Sequence, residues 1–199
     1  MATTVFLIRH AAHGLVGNVL CGRMPAVHLD DSGRCQAALL ARHLACEKLA
    51  AIYSSPLPRA RETAAPIAER SGLDVRTCDA LNEIDFGGWT GRSFASLEDD
   101  PHWRRWNAER DAERPPAGES MQEAQHRAVR CVERMAEAHP EAAIAAVSHA
   151  DVIKAVVAAV LGLPLGAHAR FEIAPASLTT LLLWPGGARL LRMNEVVAA

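Results

Sequence analysis

The sequence predicts a three-layer α/β/α sandwich with a mainly parallel central sheet. The main observation is that short apolar runs, which are typical of buried strands, alternate with stretches that have the apolar spacing of amphipathic helices. The second observation is the length, because 199 residues suit one domain with a substantial core. We therefore expect a single domain over residues 1–199, with a small helical insertion at about 93–114.

The first part of the chain contains strand and helix signals in alternation. The runs "TTVFLI" and "AAIYSS" predict strands, and the first is apolar enough to be buried on both faces. Helices are predicted in "DDSGRCQAALLARHLACEKL" and in "PLPRARETAAPIAERSG", which has proline near its start and glycine at its end. A weaker strand is predicted in "LDVRTCDAL".

The second part of the chain continues the alternation after the insertion. The charged segment 93–114 contains Trp103 and Trp106, which we expect to pack within helices that cover the functional site. Ser120 and Glu123 have the spacing of a capping box at a helix start. The remaining elements are predicted in this order: helix "MQEAQHRAVRCVERMAEAH", strand "AAIAAVSH", helix "ADVIKAVVAAVLG", and strands "ARFEIA", "SLTTLLLW" and "ARLLRMNEV".

The composition of the chain argues against several function classes. The formal net charge is −2, with 21 basic and 23 acidic residues, so we expect no general affinity for nucleic acid or for an anionic membrane. No apolar run approaches the ~20 residues that span a bilayer, and the N-terminus does not resemble a signal peptide. Five cysteines without a CxxC pair fit neither a disulfide framework nor a structural zinc site, which favours a cytoplasmic protein.

Three of the predicted strands end in groups that bind anions or react. The first strand runs into Arg9 and His10, the second is followed closely by Arg59, and the strand "AIAAVS" ends at His149. The carboxyl ends of parallel strands lie along one edge of a sheet, where ligands usually bind. If these strands are neighbours, two guanidinium groups and two imidazoles meet in one crevice.

Such a cluster has the chemistry needed to transfer a phosphoryl group. Guanidinium groups match phosphate oxygens bidentately and stay charged at any working pH. One imidazole can attack phosphorus and form a covalent phospho-enzyme, and a second imidazole, held as the cation, can bind the same oxygens. A carboxylic acid is also needed to protonate the leaving alkoxide. Glu83, in the glycine-containing loop "LNEIDFGGWTG", is our candidate.

Five stretches of the chain carry a resemblance to a known family. They occur in the family's order from residue 4 to about 180, and are "LIRHA", "SSPLPRARETA", "LNEIDFGGWTG", "PAGESMQEAQHRA" and "VSHADVIKAVVAAVLGLP". Together they resemble the histidine phosphatase superfamily, which is also called phosphoglycerate-mutase-like. The resemblance implies His10 as the nucleophile that becomes phosphohistidine and Glu83 as the proton donor. It also implies a phosphate pocket formed by Arg9, Arg59 and His149. We expect neither a metal nor a cofactor.

The chain also departs from the family's pattern near the nucleophile. Ala11 replaces the usual glycine after the Arg-His pair, and alanine does not easily adopt a positive φ. His13 stands in the segment that usually contains Glu-Thr or Glu-Ser, and we expect it to be a loop histidine without a role. Val16 falls where a polar residue often contacts phosphate, with Asn18 nearby. Asn18 and Arg23 are therefore our candidates for further substrate contacts.

The function predicted from these residues is hydrolysis of a small phosphorylated metabolite through phosphohistidine. The alternatives are a cofactor-dependent phosphoglycerate mutase and a catalytically silent phosphate-binding module. A metal site is a further rival, although the two fixed charges of Arg9 and Arg59 disfavour it. Its ligands would be His10, His13, Glu83, His149 and Asp151. The insertion favours hydrolysis, because its mixed charges are typical of a solvated helix surface: Arg104, Arg105 and Arg110 among Asp99, Asp100, Glu109 and Asp111. The sequence does not predict the oligomeric state.

Overall fold

The computed structural model describes residues 1–197, and its centre is a six-stranded sheet with the order β3-β2-β4-β1-β5-β6. The strands β3, β2, β4 and β1 run parallel, whereas β5 and β6 are antiparallel additions at one side. The predicted mainly parallel sheet is therefore confirmed. The strand bounds are β1 Thr3–Arg9, β2 Leu49–Ser54, β3 Val75–Thr77, β4 Ala143–Ser148, β5 Ser177–Trp184 and β6 Gly187–Val196.

Residues 1–197 contain six α-helices, and four of them cover the two faces of the sheet. Ser120 caps the longest helix, and its capping box with Glu123 is present as predicted. Within residues 1–197, no helix combines the length and the apolar character needed to cross a membrane. The helix bounds are α1 Asp31–His43, α2 Pro58–Ser71, α3 Phe94–Leu97, α4 Pro101–Ala108, α5 Met121–Ala138 and α6 Ala150–Leu161.

Two separate apolar cores make the protein a three-layer sandwich. Successive side chains of a strand point to opposite faces of the sheet. In β1, Val5 and Leu7 accordingly join the core beneath α5 and α6, while Phe6 and Ile8 join the core beneath α1 and α2. All four side chains are at most 8% exposed, so β1 is buried on both faces as its composition predicts.

The register of the three central strands positions the functional residues. Arg9 at the end of β1 lies beside Ser148 at the end of β4, and Ser54 at the end of β2 lies beside Val147. Three strands therefore end at one edge of the sheet, as the sequence predicts. The three strand ends are aligned in register, so the residues that follow them enter the same region.

The segment "ARFEIA", predicted as a strand, does not pair with the sheet. Residues Leu165–Arg170 form a 3₁₀ helix, and the chain from Phe171 to Ala176 is irregular. Its backbone groups bond to side chains instead, since the carbonyl of Ile173 accepts a hydrogen bond from Arg9 and the amide of Ala174 donates to Asn194. Pro175 also lacks the amide that a strand ladder would use.

The insertion forms a short aromatic layer beside the end of the sheet. Trp103 and Trp106 are buried there, as we expected, and their rings pack against each other and against Trp89. Arg104 and Arg105 are on its exposed surface and pair with acidic neighbours, which confirms a solvated face for this part of the insertion.

Arg110 is the exception to the predicted solvated face. It is 8% exposed, and its guanidinium lies 3.7 Å from the centroid of the Trp106 ring. Nη1 of Arg110 is also 3.1 Å from a carboxylate oxygen of Asp151, on the first turn of α6. Arg110 is therefore buried by its contacts with Trp106 and Asp151, and these contacts connect the insertion to α6.

Candidate active site

His10 follows β1 directly and presents a neutral imidazole with a defined tautomer. Its side chain is 4% exposed, and Nδ1 lies 2.9 Å from the backbone oxygen of Ala11, so Nδ1 carries the proton and donates it. Burial, with a further contribution from Arg59, holds the pKa of His10 well below its ordinary value. Nε2 consequently keeps its lone pair, which is the electron pair a nucleophile needs.

Ala11, which replaces the family's glycine, fits the backbone without strain. It is fully buried and is not among the residues with a positive φ. Its amide donates to Oγ1 of Thr63 on α2, and this hydroxyl in turn donates to the backbone oxygen of Arg59. One threonine therefore connects the chain after His10 to the helix turn that carries Arg59.

Arg9 and Arg59 bring two guanidinium groups to the same place. Nη1 of Arg9 donates to Ile173, and Nη2 of Arg59 donates to the backbone oxygen of Gly22 at 2.7 Å. Within residues 1–197, Nε of Arg9 and both Nε and Nη1 of Arg59 are buried without a hydrogen-bond partner. Buried unpaired donors are costly, so this arrangement suits an anion that accepts several hydrogen bonds.

His149 follows β4 and closes the other side of the cluster. Its ring centroid is 5.1 Å from that of His10, and the side chain is fully buried. Nδ1 accepts from Nη2 of Arg59 at 3.3 Å, while Nε2 lies 2.8 Å from the hydroxyl of Ser55 and donates to it. Burial and Arg59 hold the pKa of His149 well below its ordinary value, so the ring is neutral here.

Glu83 reaches the cluster from the loop that follows β3. Two arginines hold its backbone oxygen, Arg23 through Nε at 2.8 Å and Arg127 through Nη2 at 3.3 Å. Both arginines also bind the carboxylate of Glu119. Burial, and after it the carboxylate of Asp151, raise the pKa of Glu83 to about 7. The group is thus able to give or take a proton near neutral pH.

Most of these side chains line one cavity of about 180 Å³ at the carboxyl edge of the sheet. Its wall contains Arg9, His10, Arg59 and Glu83, together with Asp151 and several apolar residues. The structure therefore brings together the site residues that we predicted at the ends of separate strands. His149 lies behind them, next to His10 and Arg59.

The two candidates for further substrate contacts lie outside this cavity lining. The Asn18 residue is exposed, and its carbonyl accepts from the amide of Phe94, whereas Val16 faces the cavity. The guanidinium of Arg23 is engaged with Glu83 and Glu119, as described above. In this structure Arg23 therefore positions the Glu83 loop.

His13 has surroundings that differ from those of the loop histidine we expected. It is 6% exposed, lines the cavity, and stacks on His10 with the ring centroids 5.3 Å apart. Its Nδ1 accepts from the amide of Leu15, and burial lowers the pKa of His13 to about 4. A neutral ring thus covers one face of the nucleophile and limits its movement.

Two residues of the site were not singled out from the sequence, and a third was considered only as a metal ligand. Ser55 and Arg127 each form a hydrogen bond with a predicted site residue from a distant part of the chain. Asp151, which the sequence offered only for the rival metal site, acts on Glu83 through its charge. All three occur inside the stretches that carry the family resemblance, which is the signal that could have found them. Within residues 1–197, no group of three or more histidine, cysteine or acidic side chains is arranged to hold a metal ion.

Comparison with known proteins identifies the family. The sequence profile of the histidine phosphatase superfamily, branch 1, matches residues 5–196. The chain belongs to this superfamily. Phosphoserine phosphatase 1 of Hydrogenobacter thermophilus is 33% identical over 168 residues, which are 83% of this chain and 80% of that protein. Glucosyl-3-phosphoglycerate phosphatase of Mycobacterium tuberculosis is 31% identical over 174 residues, covering 82% of this chain and 78% of the relative.

Solved structures of superfamily members have the same fold. The native mycobacterial glucosyl-3-phosphoglycerate phosphatase has a TM-score of 0.88 at 29% identity, and the match covers 98% of this chain and 100% of that one. Its complex with inorganic phosphate has a TM-score of 0.85 at 27% identity, with 98% and 99% coverage. The family and these relatives show that the chain is a phosphatase that acts on small phosphorylated metabolites.

Proposed function

We propose that this protein hydrolyses a small phosphomonoester through a phosphohistidine formed on His10. The observation that carries the proposal is the tautomer of His10, whose Nδ1 proton is bound to Ala11 so that Nε2 is the free nucleophilic atom. Two guanidinium groups line the same cavity, and among the described residues several of their buried donors have no partner. The imidazole can attack phosphorus, and the guanidinium groups can stabilise the negative charge that develops on the phosphoryl oxygens.

In the first step, Nε2 of His10 attacks phosphorus, and the bond from phosphorus to the ester oxygen breaks. The leaving oxygen takes the proton of Glu83, whose raised pKa keeps a substantial protonated fraction near neutral pH. Arg9 and Arg59 donate to the equatorial oxygens. A bound phosphate dianion also raises the pKa of His149 and favours the cation. Protonation at Nδ1 ends the acceptance from Nη2 of Arg59, so that Nδ1 becomes a donor to the same oxygens.

In the second step, a water molecule attacks phosphorus and the bond to Nε2 breaks. The Glu83 carboxylate formed in the first step takes a proton from this water, so both the imidazole and the acid return to their starting states. Inorganic phosphate is released. The same carboxyl group thus acts as acid and then as base, and this role requires a pKa close to the working pH.

The cavity supports a small substrate with a polar leaving group. Its volume of about 180 Å³ holds little more than a phosphoryl group and a few further atoms before the opening to solvent. The phosphoserine and glucosyl-3-phosphoglycerate phosphatases named among the relatives favour a phosphorylated hydroxy acid or sugar derivative. We propose the cytoplasm as the compartment, because five cysteines without a paired framework are typical of a reducing environment.

The test of hydrolysis against phosphoryl transfer uses a mutase substrate. We expect the protein, given 3-phosphoglycerate with catalytic 2,3-bisphosphoglycerate, to release free phosphate faster than it forms 2-phosphoglycerate. A mutase must exclude water from phosphohistidine, whereas Arg104 and Arg105 of the insertion form an exposed surface and no second anion clamp. Both products are followed in one assay. Isomerisation that outpaces phosphate release would make the protein a mutase.

The pH dependence of kcat/KM is expected to report the proton on Glu83. With an alkyl phosphate, activity falls as the pH rises through about 7, because the acid loses the proton that the leaving group needs. In Asp151→Asn the neighbouring negative charge is absent, so the pKa of Glu83 falls and the decline moves to lower pH.

The control substrate for this profile is p-nitrophenyl phosphate, whose leaving group needs little protonation. We expect its pH profile to change much less between the wild type and Asp151→Asn. If the pH profiles of both substrates moved equally in Asp151→Asn, Asp151 would act on phosphate binding. The proposed effect of its charge on the pKa of Glu83 would then be wrong.

A further inference from the structure

Two cysteine thiols lie side by side outside the phosphate cavity. The Sγ atoms of Cys78 and Cys131 are 3.2 Å apart, although 53 positions separate the residues in sequence. Cys78 follows β3 directly, and Cys131 lies in α5. A disulfide bond has an S–S length of ~2.05 Å, so a movement of about 1 Å would join the two sulfur atoms. All five cysteines of the chain are free thiols in this structure.

We propose that Cys78 and Cys131 are a redox-active pair, which a hydroperoxide converts into an intramolecular disulfide. The two thiols differ in exposure in the way such a reaction requires. Cys78 is partly exposed, whereas Cys131 is 3% exposed and lies against Cys78. The sequence pattern did not indicate this pair, because the two cysteines are far apart in the chain.

The surroundings of Cys78 favour its reactive form. The two sulfur atoms are within hydrogen-bond distance, and a thiolate at Cys78 could only accept from the thiol of Cys131. This hydrogen bond, together with backbone hydrogen bonds from Ala80 and Leu81, lowers the pKa of Cys78 to about 6. The same contact and burial raise the pKa of Cys131. A thiolate is the nucleophilic form of cysteine, so Cys78 is the attacking group and Cys131 is the resolving thiol.

The reaction balances with hydrogen peroxide as the oxidant. The Cys78 thiolate attacks one peroxide oxygen, the O–O bond breaks, and a sulfenic acid and hydroxide are formed. The sulfur of Cys131 then attacks the sulfenic sulfur. Its thiol proton and the sulfenic hydroxyl leave together as water, and the S–S bond forms. The hydroxide from the first step takes up the proton that the Cys78 thiol released. Two thiols thus lose two electrons in total, and one peroxide becomes two molecules of water.

The disulfide would link α5 to the segment that follows β3, and these two elements already contact each other next to the candidate site. Arg127 precedes Cys131 by one helical turn on α5 and donates to the backbone oxygens of Ala80 and Glu83. The pair therefore bridges the helix and the segment that leads from Cys78 to Glu83. Formation of the bond does not depend on the phosphatase mechanism, and its test does not use activity.

The test is peptide mapping of the full-length reduced protein after treatment with hydrogen peroxide. Free thiols are alkylated, and trypsin is applied without a reductant. We expect peptides 77–92 and 131–134 to appear as one cross-linked species, with the intact mass lower by two hydrogens. Dithiothreitol should separate them. The double variant Cys35→Ser/Cys46→Ser, which removes the two exposed cysteines, should form the same cross-link.

A second variant identifies the attacking and the resolving sulfur. In Cys131→Ser the cross-link is lost, and we expect Cys78 to stop at a sulfenic acid that dimedone labels on peptide 77–92. Oxidation of the wild-type protein at Cys35 or Cys46 while peptides 77–92 and 131–134 stay separate would overturn the proposal. This result needs no variant, so it stands even if Cys131→Ser does not fold.

Discussion

His10→Ala is expected to lower kcat by about 10⁴-fold or more, since nucleophilic catalysis carries the whole reaction and removal of a nucleophile has effects of this order. His13 and His149 cannot replace it. The nitrogen Nδ1 of His13 accepts from Leu15, and both nitrogens of His149 are engaged with Arg59 and Ser55. The measurement is steady-state release of phosphate from p-nitrophenyl phosphate.

The controls for His10→Ala separate loss of chemistry from loss of folding. Circular dichroism and the unfolding temperature should remain close to those of the wild type, because the buried imidazole makes a single hydrogen bond to its own neighbour Ala11. His126→Ala removes an exposed histidine of α5 and should keep full activity. Activity in His10→Ala above about a hundredth of wild-type kcat would contradict a nucleophilic role.

The phospho-enzyme offers a direct readout of the same residue. Brief mixing with a ³²P-labelled phosphomonoester, followed by denaturation at alkaline pH, should retain label on the peptide that contains His10. Phosphohistidine is hydrolysed by acid, so the label should be lost at low pH. No label is expected in His10→Ala. Label that persists in this variant, or that resists acid, would place the covalent intermediate on another side chain.

Glu83→Gln is expected to slow alkyl phosphates by about 10²- to 10⁴-fold, the range for loss of general acid–base catalysis. An alkoxide needs a proton as it leaves, whereas p-nitrophenolate is already stable as an anion. The loss with p-nitrophenyl phosphate should therefore be much smaller. The measurement is kcat/KM of both substrates for the wild type and the variant.

Asp85→Asn is the matched comparison for Glu83→Gln. Asp85 lies two positions further along the same loop, and its carboxylate accepts from the amide of Gly87 and faces Arg23. We expect this variant to affect both substrates to a similar, small extent. If Asp85→Asn discriminates between the substrates and Glu83→Gln does not, the general acid is Asp85.

The sequence alone determined the architecture and the principal residues that line the cavity. A short apolar run such as Val5 to Ile8 predicts a strand buried between two layers, and a polar pair directly after such a strand is expected at the sheet edge. The prediction of a strand in "ARFEIA" was wrong. Its backbone groups form hydrogen bonds with the side chains of Arg9 and Asn194, and the composition of the segment does not indicate these distant partners.

The tertiary structure alone decided the state of these residues. The tautomer of His10 depends on a backbone oxygen that only the turn after β1 supplies. Arg110 belongs to a charged segment typical of a solvated face, yet Trp106 and Asp151 hold it inside. His13 likewise became part of the cavity wall by stacking on His10.

The physical reason is the range over which each signal acts. Apolar periodicity reports local burial, because it follows from the geometry of one helix or one strand. A pKa or a hydrogen-bond partner depends on groups from distant parts of the chain: 94 positions separate Ser55 from His149, and 44 separate Glu83 from Arg127. The sequence therefore determined which groups meet at the sheet edge, and the packing of loops and helices decided their protonation and orientation.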